Sequence, residues 1–171
     1  MTLTSSSSGN INLASTVNGA QPLTINTAGT TTFGGIVGGT TALTSITTDA
    51  AGSLAINGGA ITTTGAQTYN DAVTLGAATT LSAASITTGS TFNASTYAAT
   101  LTTDAITIGG NLSGSGALVI QPKTNSTTIG IGSAASGTLS LDDTELGRLV
   151  DGFSSITIGS TTGTGAIAVA Y

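Results

Sequence analysis

One short sentence of residues recurs along this chain about every 20 positions: a few alternating β-formers, then Gly or Asn, then small polar residues. Its cores read Leu23-Thr-Ile25, Leu43-Thr-Ser-Ile46, Leu54-Ala-Ile56, Val73-Thr-Leu75, Ile106-Thr-Ile108, Leu118-Val-Ile120, Ile129-Gly-Ile131, Leu139-Ser-Leu141, Ile156-Thr-Ile158 and Ile167-Ala-Val169. A fixed period of this length marks a solenoid, in which each repeat buries its apolar side only against its neighbours. Subtraction supports the period: Leu23 to Leu43, Leu54 to Leu75, Ile86 to Ile106, Ile108 to Ile129 and Leu118 to Leu139 each span 20 or 21 residues. Leucine-rich repeats need a denser leucine string. Sandwich strands run longer than the three to five residues seen between these Gly-rich corners.

The expectation is therefore an all-β chain: a single-stranded parallel β-helix over residues 1–171, one segment, with about eight coils of roughly 20 residues and a length near 40 Å at the usual strand spacing. Only 5% of the residues are charged and 4% are aromatic, so the core must rest on Ile, Leu, Val, Ala and Thr. Threonine, the commonest residue, is stiff at χ1 and favours strands, so it is expected mainly at outward positions. Gly35, Gly38-Gly39, Gly58-Gly59, Gly109-Gly110, Asn18-Gly19 and Asn57-Gly58 mark corners that use positive φ. The echo of Ile46-Thr-Thr-Asp49-Ala in Leu101-Thr-Thr-Asp104-Ala reads as a duplication.

One segment breaks the rhythm. Leu141-Asp-Asp-Thr-Glu-Leu-Gly-Arg-Leu-Val150 holds charge that the rest lacks. Asp143 can cap, Glu145 falls in a first turn, and Leu146, Leu149 and Val150 lie at helical spacing. A short helical insertion near 143–150, against the solenoid side, is expected.

The chemistry-bearing residues are few. The chain has no His and no Cys, which removes imidazole and thiolate chemistry and disulfide staples. A Ser–Lys pair could use only Lys123. Asp49 and Asp104 could form a carboxylate pair across a sugar; the plainer reading is an Asx turn at each Thr-Asp step. Asp142, Asp143 and Arg148 are the one place with a lyase-like mixture, and Asp142, Asp143, Glu145 and Asp151 are the calcium candidate, without an EF-hand loop. Neither outweighs a capped surface helix, so no catalytic residue, metal or cofactor is assigned. The triplets Thr30–Thr32, Thr62–Thr64 and Thr100–Thr102 do not share one phase of the coil, which argues against an ice-facing hydroxyl ladder. Asn93, Asn111 and Asn125 head glycosylation triplets, weak signals in so Ser/Thr-rich a chain. The six Phe and Tyr are too dispersed for a sugar-stacking groove.

A net charge of −5 with two basic residues, Lys123 and Arg148, excludes a nucleic-acid stripe. No apolar run is long enough to span a membrane as a helix. Met1 reads as a start codon added to a fragment.

Gly29-Thr-Thr-Thr-Phe-Gly-Gly35, Gly38-Gly-Thr-Thr-Ala-Leu-Thr-Ser45, Thr63-Thr-Gly-Ala-Gln-Thr-Tyr-Asn-Asp-Ala-Val-Thr-Leu75 and Glu145-Leu-Gly-Arg-Leu…Asp151-Gly-Phe-Ser-Ser-Ile-Thr-Ile-Gly159 resemble repeats of very large bacterial surface proteins similar to filamentous haemagglutinin. The resemblance covers most of residues 20–170. It implies a right-handed coil, export by two-partner secretion to the cell surface, and roles in adhesion, biofilm or cell–cell contact, with no catalytic residues. The expected function is thus a structural, non-enzymatic shaft outside the cell. Its expected partners are neighbouring coils, copies of itself, and cell-surface glycans or proteins. The alternatives are a fibre subunit that stacks head to tail, and a carbohydrate-binding or carbohydrate-cleaving module.

Overall fold

The structure, a computed structural model, describes residues 1–171. It is a parallel β-solenoid with three sheets running along its length. The first sheet stacks Thr2–Ser5, Pro22–Thr27, Ser45–Thr48, Ala66–Tyr69, Ser85–Thr88 and Ala105–Ile108. The second stacks Ile11–Leu13, Thr30–Phe33, Ser53–Ile56, Ala72–Leu75, Phe92–Asn93 and Leu112–Ser113. The third stacks Ala60–Thr62, Thr79–Ser82, Ala99–Thr102, Ala117–Gln121 and Ser155–Ile158, and single bridges carry it down through Val37 to Val17.

Strand alternation builds the core. Within strands such as Ser53–Ile56 every second side chain is buried, as a two-residue period requires. Leu54 stacks on Val73, and Ile61, Leu81, Leu101 and Ile120 form one continuous inward column. The result is one cluster of 27 buried hydrophobic residues running the length of the stack. Its largest members are Tyr69, Phe33 and Phe92, so half of the six Phe and Tyr fill the core.

Threonine is not confined to the outside. Thr31, Thr48, Thr63, Thr88 and Thr103 are fully buried or nearly so. At the third-to-first corner the hydroxyls of Thr63 and Thr103 donate to the carbonyls of Gly65 and Ala105, at 2.9 and 2.8 Å. That local bond satisfies a buried hydroxyl and fixes the corner.

Six regular coils form rather than eight, which gives about 30 Å of stack at the usual spacing. The subtraction found the period but mostly the wrong partners. Ile86 does face Ile106, whereas Leu23 faces Ile46 and Leu54 faces Val73. Leu118 faces Ile156, not Leu139. After Gln121 the chain leaves the coil and makes Ile129–Ile131 and Leu139–Leu141 before returning. These strands form a separate three-stranded sheet, ordered Leu139–Leu141, Ile129–Ile131, Ile167–Val169, all parallel. Its first strand packs against Ala105–Ile108. The apolar words of residues 122–141 therefore imitate two coils without being coils.

The apparent duplication also dissolves. Ile46 lies in the first sheet and Leu101 in the third, so Asp49 and Asp104 sit at different corners.

Candidate functional site

The terminal coil holds most of the charge. A helix of one turn, Asp143–Leu146, follows Leu139–Leu141, the strand that packs against the last first-sheet strand. Asp142, not Asp143, is its N-cap, and its carboxylate accepts from the Glu145 N–H at 2.8 Å. Glu145 answers with two bonds. One carboxylate oxygen accepts from the Asp142 N–H at 3.2 Å, closing a capping box, and the other accepts from the Ile108 N–H at 2.9 Å. The Arg148 guanidinium donates to the Ile108 carbonyl. The two charged side chains thus satisfy both backbone groups of Ile108, at the end of the last regular first-sheet strand. Leu146 and Leu149 pack on the core, but Val150 is exposed, because the chain there is already bridging Leu112 to rejoin the second sheet. The segment terminates a column instead of lying along a side.

Of the calcium candidates, Asp142 and Glu145 are engaged in this capping. Asp143 accepts from the Ser133 N–H at 3.3 Å, which ties the helix to the loop after Ile131. Asp151 lies exposed in the following turn. Asp142, Asp143, Glu145 and Asp151 do not converge as a cluster able to hold an ion.

Asp49 and Asp104 make inter-coil clamps and not local Asx turns. Asp49 accepts from the Thr27 N–H, one coil back, at 3.1 Å. Asp104 accepts from the N–H groups of Lys123 and Thr124 at 3.0 and 2.7 Å, and from the hydroxyls of Thr124 and Thr127 at 2.7 and 2.8 Å. It anchors the start of the excursion. Partial burial pushes its carboxyl up, but the bonds from Thr124, Thr127 and Lys123 outweigh that and hold the pKa below the usual range.

Asp71 behaves in the opposite way. It is 1% exposed. One oxygen accepts from the Gly52 N–H at 2.9 Å; the other, Oδ2, has no formed hydrogen bond. Burial first, and then the nearby Asp49 charge, raise its pKa, against the Gly52 bond and the weak influence of the Thr48 hydroxyl. The stability consequences carry opposite signs. A raised folded pKa gives stability that is present below the unfolded value and lost as pH rises through the folded one; a lowered pKa gives stability that is lost as pH falls through the folded value. Asp71→Asn is therefore expected to raise the melting temperature at pH 7 by about 2–4 °C, the equivalent of ~1 kcal/mol in a chain of this size. Asp104→Asn is expected to lower it at pH 7 and to flatten the acid limb of the curve. Thermal melts from pH 2 to 8 check both, and a lower melting temperature for Asp71→Asn at pH 7 would refute the first.

The remaining sequence candidates have plain placements. Lys123 donates through Nζ to the Thr63 carbonyl at 3.1 Å, 60 residues back, and so straps the corner lengthwise. Asn93, Asn111 and Asn125 are exposed. Tyr97 and Tyr171 are the exposed aromatics.

Two features escaped the sequence reading. Inside the core, the Tyr69 hydroxyl donates to Gln67 Oε1 at 2.9 Å, while Gln67 Nε2 donates to the carbonyls of Ile61 and Ser82. Burial drives the Tyr69 phenol pKa far upward, so it stays protonated. On the outside, Thr2, Thr24, Thr47, Thr68, Thr87 and Thr107 stand one above another in strict register. The triplets singled out from sequence lie on the second sheet and about the third. The unbroken column belongs to the first sheet. Its signal was a Thr at the centre of successive strand triplets: Leu-Thr-Ile25, Ile-Thr-Thr48, Gln-Thr-Tyr69, Ile-Thr-Thr88, Ile-Thr-Ile108.

No protein-family model, curated protein or solved structure matches the chain.

Proposed function

We propose that this chain is a rigid, non-catalytic shaft segment of a large bacterial surface protein that serves adhesion, biofilm or cell–cell contact outside the cell. The observation that carries the reading is the uninterrupted stack: six coils share one core, and their ladders run along the whole length. Such a quasi-one-dimensional object transmits position and force over a distance. The likeness of its repeats to filamentous haemagglutinin supplies the cellular setting. Small-angle scattering of the purified chain should give a rod about 30 Å long with the cross-section of a single solenoid. Polysaccharide cleavage by the chain, lost in Asp49→Asn or Asp104→Asn, would overturn the reading in favour of a carbohydrate-cleaving module.

One observation favours a second reading. The six-rung threonine column offers hydroxyls and methyls at a regular repeat on a sheet face. An array of that kind can seat on ordered water at an ice surface. Thermal hysteresis that disappears in Thr68→Tyr would support it, and absence of hysteresis in the unsubstituted chain would remove it.

A further inference from the structure

We propose that residues 123–141 form a strand-order lock: the chain lays down a later rung before an earlier one, and opening of the stack from the C-terminal side is thereby stopped at Leu141. The inference concerns how the coils come apart, and it stands independently of the shaft reading.

In a stack built strictly in chain order, each coil touches only its neighbours. Opening from the C-terminal side then meets every strand when its preceding neighbour alone is left, so a single ladder holds it. Ser155–Ile158 is of this kind: its ladder is to Ala117–Gln121. Leu139–Leu141 is not. It packs against Ala105–Ile108 and also pairs with Ile129–Ile131, which comes earlier in the chain. In space, however, Ile129–Ile131 lies beyond it, between Leu139–Leu141 and Ile167–Val169. Ile129–Ile131 therefore stays in place after everything past Leu141 has left. The Leu139 N–H donates to the Thr128 carbonyl at 3.0 Å, and the Gly132 N–H donates to the Leu141 carbonyl at 2.9 Å. Leu139 and Leu141 are fully buried, and Ile129 is nearly so. Extracting Leu139–Leu141 means leaving two neighbours at once, or displacing Ile129–Ile131 first.

Displacement is opposed by anchors in the regular coils. The Asp104 carboxylate accepts from the N–H groups of Lys123 and Thr124 and from the hydroxyls of Thr124 and Thr127. Those bonds pin the approach to Ile129. The Lys123 Nζ donates to the Thr63 carbonyl at 3.1 Å and ties the same approach to a coil much earlier in the stack. The turn that joins the two strands is also closed, since a Cβ on Gly137 would land on the Gly130 backbone nitrogen. None of these contacts involves a residue beyond Leu141, so none is lost while residues 142–160 come away.

The test is single-molecule pulling on the full chain between two internal handles. The chain has no cysteine, so Thr96→Cys and Thr161→Cys, both at exposed corner or loop positions, give unique attachment points. From Thr96 the pull meets Ala99–Thr102, which is held by ladders on both sides; from Thr161 it meets Ser155–Ile158, held by one. Opening thus begins at Thr161. A first release of residues 142–160, about 65 Å of extended chain, should be followed by a pause and a second, more resistant event. Asp104→Ala should shorten the pause at constant force by about tenfold or more, because several bonds to a charged acceptor are lost together, and should leave the first release unchanged. Lys123→Met, which removes the strap and keeps an apolar stem, should shorten it less. Circular dichroism checks that each variant is folded, and the lysine variant carries the test if the aspartate variant is not. Release that runs through Leu141 without a pause overturns the inference. A pause of the same length in the folded variants overturns it too, since the anchors would then hold only their own loop.

Discussion

Replacing Gly58 with alanine is expected to lower the stability of the chain by about 3 kcal/mol, the upper end for overpacking a well-filled site. Gly58 follows Ile56 at the corner between the second and third sheets. A Cβ there would land on the carbonyl group of Gly35, the corner residue one coil below. The obstacle is backbone, so no side-chain rotation relieves it. The two coils would have to separate at that corner, and the ladders of Ser53–Ile56 and Ala60–Thr62 flank it on either side. Because stability in a solenoid is a sum of coil terms and nearest-neighbour junctions, the loss concentrates at one junction. Amide exchange should accelerate first in the coils containing residues 30–62. Alanine at Gly147 is the contrast: its backbone is right-handed helical and the nearest atom stands at 3.3 Å. Its effect should stay below ~1 kcal/mol. Equal losses at the two positions by urea denaturation would show that coil contact at Gly58 is not the controlling feature.

That contrast also locates what a reader of the sequence could and could not see. The solenoid was legible because burial on one side of every strand forces a two-residue alternation, and stacking forces a repeat. The corners were legible as positions, but not as causes. Gly59 and Gly38 do adopt positive φ, at 76° and 74°, while Gly58 and Gly35 are required by the closeness of the next coil. Contact between coils is a property of the stack and leaves no local mark. The coil count failed for a related reason. Ile129-Gly-Ile131 and Leu139-Ser-Leu141 satisfy the same apolar rule as a true rung, yet they belong to another sheet, visited out of order. Periodicity records that a strand buries one face and does not record which strand it lies against. The acids show the same limit. The sequence placed Asp49 and Asp104 in turns, but their partners are one coil away, and the buried, half-satisfied Asp71 carried no signal beyond its neighbours.

Glu145→Ala is expected to produce the second large loss, about 2–3 kcal/mol. Its carboxylate holds two backbone donors at once, Ile108 N–H and Asp142 N–H. Removing it leaves the Ile108 N–H without a partner, at about 1–3 kcal/mol for a group shielded from water. It also opens half of the capping box, at about 0.5–2 kcal/mol for a lost cap. The contributions share one side chain and need not add. Glu145→Gln keeps an acceptor oxygen but has only one, so it should lose roughly half as much. Urea unfolding gives the totals, and amide exchange at Ile108 isolates the edge: it should quicken in Glu145→Ala while the inner coils keep their protection. A stability within about 0.5 kcal/mol of the parent chain would mean that water satisfies the edge as well as Glu145 does. The physical content is wider than one bond. A column of parallel strands accepts any strand that comes next, including the wrong one. Here the chain departs, forms Ile129–Ile131 and Leu139–Leu141, and must come back in register for Ser155–Ile158 to meet Ala117–Gln121. In the finished stack Glu145 and Arg148 occupy the N–H and carbonyl of Ile108 on the first-sheet edge, and they are among the few charged side chains of a sparsely charged solenoid.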